Sequence, residues 1–516
     1  MSSRLGWRLV MIVLSSVALS NAAFAQLPAP KPAPLAPPSS EGCSLEKTCA
    51  ELAPAMIQSA LGPSPLEDNL RYLTDTIGGR VTGSPAAHQA AAWAVEAFRR
   101  ANVNEVHLEK FTMPVGWSEG HTRGEILAPV AFPVHLVSNA WTPPTQAGGI
   151  QAEVVDVGTG DDAGFAKAGA AVKGAIVLIH SKPLVTWDDL LAEYDPAPVD
   201  RALKSGAVAI FWMSSRPSLL LYRHTLTIDG QLDKLPQATL AREDAERIAR
   251  FLDAGQKVRV RFDAPNKITG PVEAENVVAE IKGHEKPEEF VVLGAHLDSW
   301  ELGTGALDNG CNAALVIEAA RVIHASGTLP RRSIRFVLFT GEEEGSLGSA
   351  AYAHAHRAEL DRMIAAVIFD AGTGRTTGYS LGGRKDILSA VNEALEPLAA
   401  FGVKDHTFNA GMDTDNFDFL IEGVPTLVAN QDPANYMLNY HAASDTFDKV
   451  DIAELKRNVA IATVTAYALA DAKDRIGPRQ SRSEIEQLLK ETNLEEEMKS
   501  TGFWLYWQKS ERGRQP

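Results

Sequence analysis

Phe290-Val291-Val292-Leu293-Gly294-Ala295-His296-Leu297-Asp298 is the stretch on which the fold turns. An apolar run of strand length ends abruptly in a histidine and an aspartate. Beyond it, Asn312 to Ala325 carries apolar residues at helical period, and Ile334 to Phe339 is a second strand-like run. Strand, helix and strand in that order predict an α/β fold with a mixed, largely parallel central sheet flanked by helices. In open sheets of this kind ligands collect beyond the carboxyl ends of the strands. The polar clusters of this sequence follow its strand-like runs, so the same positions predict a site.

His296 offers a neutral ring nitrogen to a borderline metal, and Asp298 can accept a hydrogen bond from the other nitrogen. Alone the pair is weak evidence, since most such histidines are ordinary surface or core residues. Asp308 follows in Gly305-Ala306-Leu307-Asp308-Asn309-Gly310, just before the helix. Its two oxygens could hold two cations about 3.5–4 Å apart. Aspartate is equally suited to cap a helix, and Asn309 is a second candidate for the cap. Thr340-Gly341-Glu342-Glu343-Glu344-Gly345 comes after Phe336-Val337-Leu338-Phe339. Adjacent glutamates usually form a solvated turn; behind a buried strand they can divide duties, one holding metal and its neighbour moving protons. Ile368-Phe369-Asp370 repeats the strand-then-carboxylate form. Asn439-Tyr440-His441, with Ser444-Asp445, supplies a second imidazole.

Each piece is common, but the ordered set is not. Over roughly residues 65–470 it resembles the co-catalytic two-zinc exopeptidase family, which includes secreted bacterial aminopeptidases, plasma glutamate carboxypeptidase and the transferrin-receptor branch. Ile77-Gly78-Gly79-Arg80-Val81-Thr82-Gly83-Ser84 is similar to that family's N-terminal segment. Residues 121–262 resemble the β-rich protease-associated insert of the plasma-carboxypeptidase-like members, most closely at Lys173-Gly174-Ala175-Ile176-Val177.

The resemblance implies two Zn2+ per chain, one on His296 and Asp370, the other on Glu343 and His441, with Asp308 bridging. It implies a water between the metals, with Glu342 as general base and acid, and Tyr440 as oxyanion stabiliser, as in the aminopeptidase branch. It also implies a cis peptide between Asp308 and Asn309. Thr414-Asp415-Asn416 departs from the family's common Ser-Asp-His phrase, and Cys311 stands where small residues are usual. The implied activity is that of an aminopeptidase or dipeptidase acting on short peptides. The alternatives are a carboxypeptidase of the plasma glutamate carboxypeptidase type and a metal-free, receptor-like binding module. Related two-metal deacylases usually have a longer interval between the histidine and the bridging aspartate.

At 516 residues the chain exceeds one ordinary core, which predicts several domains. Residues 1–25 read as a signal peptide: Arg4 and Arg8, an apolar run from Leu9 to Leu19, and Ala23-Phe24-Ala25 before Gln26. The apolar run is about half the length of a membrane span. The expectation is therefore an exported protein, periplasmic or secreted, without stable membrane insertion. Residues 26–62 form a Pro-rich tether and N-terminal segment, and 63–120 the first part of a peptidase domain. The insert occupies 121–268, and 269–474 hold the second part of the domain with the metal site. A helical extension, 475–516, ends in Phe503-Trp504-Leu505-Tyr506-Trp507, which points to core or dimer packing rather than membrane contact and leaves a homodimer open. A net charge of -16 without any basic, aromatic-interleaved run argues against nucleic acid as a partner. Cys43 and Cys49 could pair only across a turn, because continuous helix would hold their Cα atoms about 9 Å apart.

Overall fold

The computed structural model describes residues 48–516. The expected signal, most of the tether and Cys43 with its pairing lie outside the described residues. Among the described residues a seven-stranded sheet organises the chain, in the order Val106–Met113, Val272–Ile281, Arg332–Phe339, Lys286–His296, Met363–Ile368, Thr426–Gln431 and Thr376–Ser380. The central pairings are parallel. The flanking ones are antiparallel.

Side-chain alternation explains why both faces of this sheet are covered. Val291, Leu293 and Ala295, with Ile334, Phe336 and Leu338, enter one buried cluster. Phe290 and Val292, with Val337 and Phe339, enter another on the opposite face. Over the first face, helix Cys311–Ala325 is buried almost throughout and packs against helix Ile452–Asp471. Helix Pro85–Arg100 begins where Ser84 Oγ accepts a hydrogen bond from the Ala87 amide at 3.2 Å, with proline in its first turn. The segment Leu66–Arg71 is α-helical, and Tyr72–Ile77 loosens into a wider turn that stops at Gly78, φ 80°.

Residues 123–263 contribute every strand of a separate eight-stranded sheet, inserted between the edge strand Val106–Met113 and its neighbour Val272–Ile281. Strands Ile150–Asp156, Ile176–Ile179, Ala209–Met213 and Gln237–Leu240 run parallel, which requires crossovers. Helices Asp162–Ala168 and Ala197–Ser205 serve as two of them. At the carboxyl end of the chain, Phe503 and Trp507 are buried against Phe417, Leu420 and Ile421, so part of the aromatic tail is core. No described helix is long and apolar enough to cross a membrane.

Candidate metal centre

The residues singled out in the sequence converge at the carboxyl ends of the central parallel strands. His296 ends one strand, Glu342 and Glu343 follow the next, and Asp370 follows the third. Asp308 lies in the turn Ala306–Gly310, and His441 follows the short helix Tyr436–Asn439. His296 Nε2 stands 3.1 Å from Asp308 Oδ1 and 3.0 Å from Asp370 Oδ1. His441 Nε2 stands 3.3 Å from Asp308 Oδ2 and 2.8 Å from Glu343 Oε2. Asp308 therefore turns one oxygen to each imidazole. Glu342 also belongs to the group: its carboxylate and donor atoms of His296 and Asp370 lie within 4.8 Å of one another. It is half-buried, whereas Glu343 is buried.

This donor set suits cations better than it suits hydrogen bonds. Each Nε2 carries at most one proton, yet faces two carboxylate oxygens. Asp308 Oδ2 and Glu343 Oε1 are buried without a hydrogen-bond partner. Burial, reinforced by neighbouring carboxylates, pushes Glu342 and Glu343 well above the ordinary carboxyl range. Burial opposes a charged His296, but Asp370, Asp298 and Asp308 outweigh it and raise its pKa. Asp308 is buried too, yet the imidazoles of His296 and His441 beside it hold it below the usual range. So much negative charge in one pocket is what divalent ions would offset.

On its other edge, His296 Nδ1 is 3.1 Å from the Asp298 carbonyl oxygen and 3.5 Å from the Asp298 carboxylate. That carboxylate accepts from Thr82 Oγ1 at 3.0 Å and from the Glu343 amide at 3.3 Å. The Thr82 hydroxyl in turn accepts from the Gly341 amide at 2.9 Å, which joins the loops bearing His296 and Glu342. Neither Asp308 nor Asn309 caps the following helix. Asn309 instead donates to the Phe369 carbonyl at 2.9 Å and accepts from Asn312 at 2.7 Å. The Asp308–Asn309 peptide bond is cis.

Two supporting residues carried no role in the sequence reading. Arg80 is fully buried; its guanidinium donates to the carbonyls of Leu297, Thr304 (2.8 Å) and Gly305 (2.8 Å). Asp445 accepts from the amides of Ala306 (3.1 Å), Leu307 (2.7 Å) and Asp308 (3.1 Å). The first holds the loop after His296 and the second fixes the turn containing Asp308. Gly79 is required beside Arg80, because a Cβ there would lie 2.3 Å from the Glu301 Cα. Cys311 is buried with its thiol pKa pushed up by burial, and its Sγ meets the Leu307 carbonyl at 3.4 Å.

The insert also reaches this centre. In sequence it shows no gathered histidines or carboxylates; folded, it grips the loop that carries His441. The Arg223 amide donates to the His441 carbonyl at 3.0 Å, and the Ala443 amide to the Leu221 carbonyl at 3.0 Å. His441 has φ 57°, a left-handed conformation costly for histidine and held here by those contacts. Arg216 donates to the Tyr440 carbonyl at 3.0 Å and is paired with Glu193 at 2.6 Å. Tyr440 lies stacked on the His441 ring, centroids 3.7 Å apart. His224 is buried between Tyr194 and Tyr222, each centroid 5.4 Å away, and burial lowers its pKa to about 3. Elsewhere, His354 is exposed, and His356 is half-buried against Glu109 at 3.0 Å.

Fold and site together define an α/β protein with carboxylates and imidazoles gathered at the end of a mixed sheet. The model of peptidase family M28 matches residues 276–466, which span every residue of the centre. Carboxypeptidase Q of Mus musculus is 30% identical over 421 residues, covering 80% of this chain and 87% of that protein. A peptidase M28 precursor from Shewanella amazonensis SB2B has a crystal structure that aligns with TM-score 0.77 and 28% identity, over 84% of this chain and 99% of that one. BSAP, a zinc aminopeptidase from Bacillus subtilis, aligns with TM-score 0.63 at 22% identity over 81% of this chain and 97% of its own. The chain belongs to peptidase family M28. It is a peptide-bond hydrolase.

Two expectations test this architecture. Arg80→Met leaves the carbonyls of Leu297, Thr304 and Gly305 without their buried donor, and should cost about 3 kcal/mol or more in urea unfolding. An unchanged midpoint would show that the guanidinium does not hold the loop. His224 has its folded pKa lowered from 6.5 to about 3, so its contribution is complete above 6.5 and is lost as pH falls toward 3. His224→Phe should therefore flatten the fall in stability across that window; a curve parallel to wild type would refute this.

Proposed function

We propose that this chain is an exported, two-zinc exopeptidase that releases terminal residues from short peptides, acting as an aminopeptidase or dipeptidase. The observation that carries the reading is the division of Asp308, one carboxylate oxygen 3.1 Å from His296 Nε2 and the other 3.3 Å from His441 Nε2. In this reading His296 and Asp370 hold one ion, Glu343 and His441 the other, and Asp308 both. Nitrogen and carboxylate donors without thiolate suit zinc, and a structural neighbour is named a zinc aminopeptidase. The export reading rests on residues 1–25.

Bound zinc would bring the pKa of water from near 16 to about 7 and polarise the scissile carbonyl. Glu342, the more open of the paired glutamates, takes the proton of the attacking water and returns it to the departing nitrogen. Asp298 holds His296 in orientation through its other ring edge. Tyr440 donates to the oxyanion that forms. The buried arginines near the His441 loop are committed, Arg216 to Glu193 and Arg223 to Glu119 and Glu301. They are not free to clamp a substrate carboxylate, while the surplus of carboxylates favours an α-ammonium group. Carboxypeptidase action is the second reading, favoured by the likeness to mouse carboxypeptidase Q across most of both chains.

Free, N-blocked and C-amidated dipeptides, assayed with and without chelator, separate the readings. N-blocking should abolish cleavage, and amidation should not; the reverse pattern would establish the carboxypeptidase reading. Glu342→Gln should keep its zinc and lose roughly 10²–10⁴-fold in turnover. His441→Ala should lose zinc by elemental analysis, and two full sites in that variant would remove His441 from the ligand set.

A further inference from the structure

We propose that Tyr194, a residue of the insert, is a positioning residue for the Tyr440 hydroxyl, so that the insert supplies part of the catalytic apparatus; this rests on the exopeptidase reading. The two phenol oxygens are 2.5 Å apart, joining residues 246 positions apart in sequence. Neither ring is loose. Tyr194 stacks on the buried His224, centroids 5.4 Å apart and planes at 26°, while Tyr440 stacks on His441 at 3.7 Å and 20°. The neighbour of Tyr194 completes the hold from the other end. Glu193 binds Arg216 at 2.6 and 2.8 Å, and Arg216 donates to the Tyr440 carbonyl at 3.0 Å. Consecutive insert residues thus fix Tyr440 at its backbone and at its hydroxyl.

The chemistry follows from counting protons. A phenol has one proton to give and lone pairs to accept with. When the Tyr194 hydroxyl donates to the Tyr440 oxygen, the Tyr440 proton is released from that contact and can be donated to an oxyanion. Accepting one hydrogen bond also strengthens the donation of the other. Tyr194 need not touch substrate to do this.

The test is a cycle of Tyr194→Phe, Tyr440→Phe and the double variant on a cleaved dipeptide, with zinc content measured in each. Tyr194→Phe should lower kcat about 3- to 10-fold with KM and zinc unchanged. The double variant should be no slower than Tyr440→Phe alone, since Tyr194 acts through that hydroxyl. Unchanged kcat, or multiplying losses, overturns the proposal. A second measurement needs no turnover: NMR of protein labelled at tyrosine 13Cζ, with the Tyr440 signal assigned by its loss in Tyr440→Phe. That signal should move in Tyr194→Phe, and a static signal overturns the pairing whatever the activity. If it moves but wild type cleaves no peptide, the exopeptidase reading fails and the catalytic role of Tyr194 fails with it.

Discussion

Crowding carboxylates at the end of a sheet works against folding, because each is desolvated and repels the others. Asp298, Asp308, Glu342, Glu343 and Asp370 share this pocket with two imidazoles, beside the guanidinium of Arg80. A scaffold that neutralised them by direct ion pairing would use up the lone pairs that a metal requires. This chain holds the main chain instead. Arg80 binds carbonyls, Asp445 binds amides, and Thr82 links one carboxylate to the backbone of the opposite loop. The loops are fixed while the facing oxygens of Asp308, Glu343 and Asp370 remain directed at His296 and His441.

The insert adds a second source of rigidity. It leaves the framework between two antiparallel strands near the sheet edge, where an interruption costs the central parallel pairings nothing. It returns to the site on the side the sheet does not reach. His296, Asp308, Glu342, Glu343 and Asp370 follow strands or flank the central helix, whereas His441 sits on a loop in a left-handed conformation. The one imidazole that the sheet does not place is the one the insert grips, through Arg223 and Leu221. Motion of the insert would therefore act on one side of the centre more than on the other.

Much of this was legible in the sequence, because strands announce themselves by apolar runs and the reactive residues stand directly after them. Phe290–Ala295 and Ile334–Phe339 fall inside observed strands, and the Asn312–Ala325 helix begins only one residue earlier, at Cys311. What stayed hidden depends on contacts across long separations. Arg80 was visible as part of a quoted phrase, but its partners are carbonyls more than 200 positions away, and carbonyls leave no mark on sequence. Asn309 reads as a cap because amides often cap; here the Phe369 carbonyl and Asn312 claim it. Tyr194 and Arg216 lie in strand-like or loop text with no motif around them. The only signal was compositional, an aromatic and an arginine beside acidic residues in an insert, and that describes most surfaces equally well.

The twelve-residue interval between His296 and Asp308 also has a physical cause. Leaving the strand, the chain must pass round the Arg80 guanidinium, presenting the carbonyls of Leu297, Thr304 and Gly305 to it in turn, before Asp308 faces back toward His296. The turn is tight enough to exclude side chains at two points. A Cβ on Gly305 would lie 2.3 Å from Ser299 Cβ, and one on Gly303 would lie 2.6 Å from the Asp445 carbonyl oxygen. Gly305 is also left-handed, at φ 58°. A shorter connection could not encircle the guanidinium, and a longer one would bulge where Asp445 gathers the amides of Ala306, Leu307 and Asp308. The spacing that first marks this site in the sequence is, in the folded chain, the circumference of a loop drawn around one arginine.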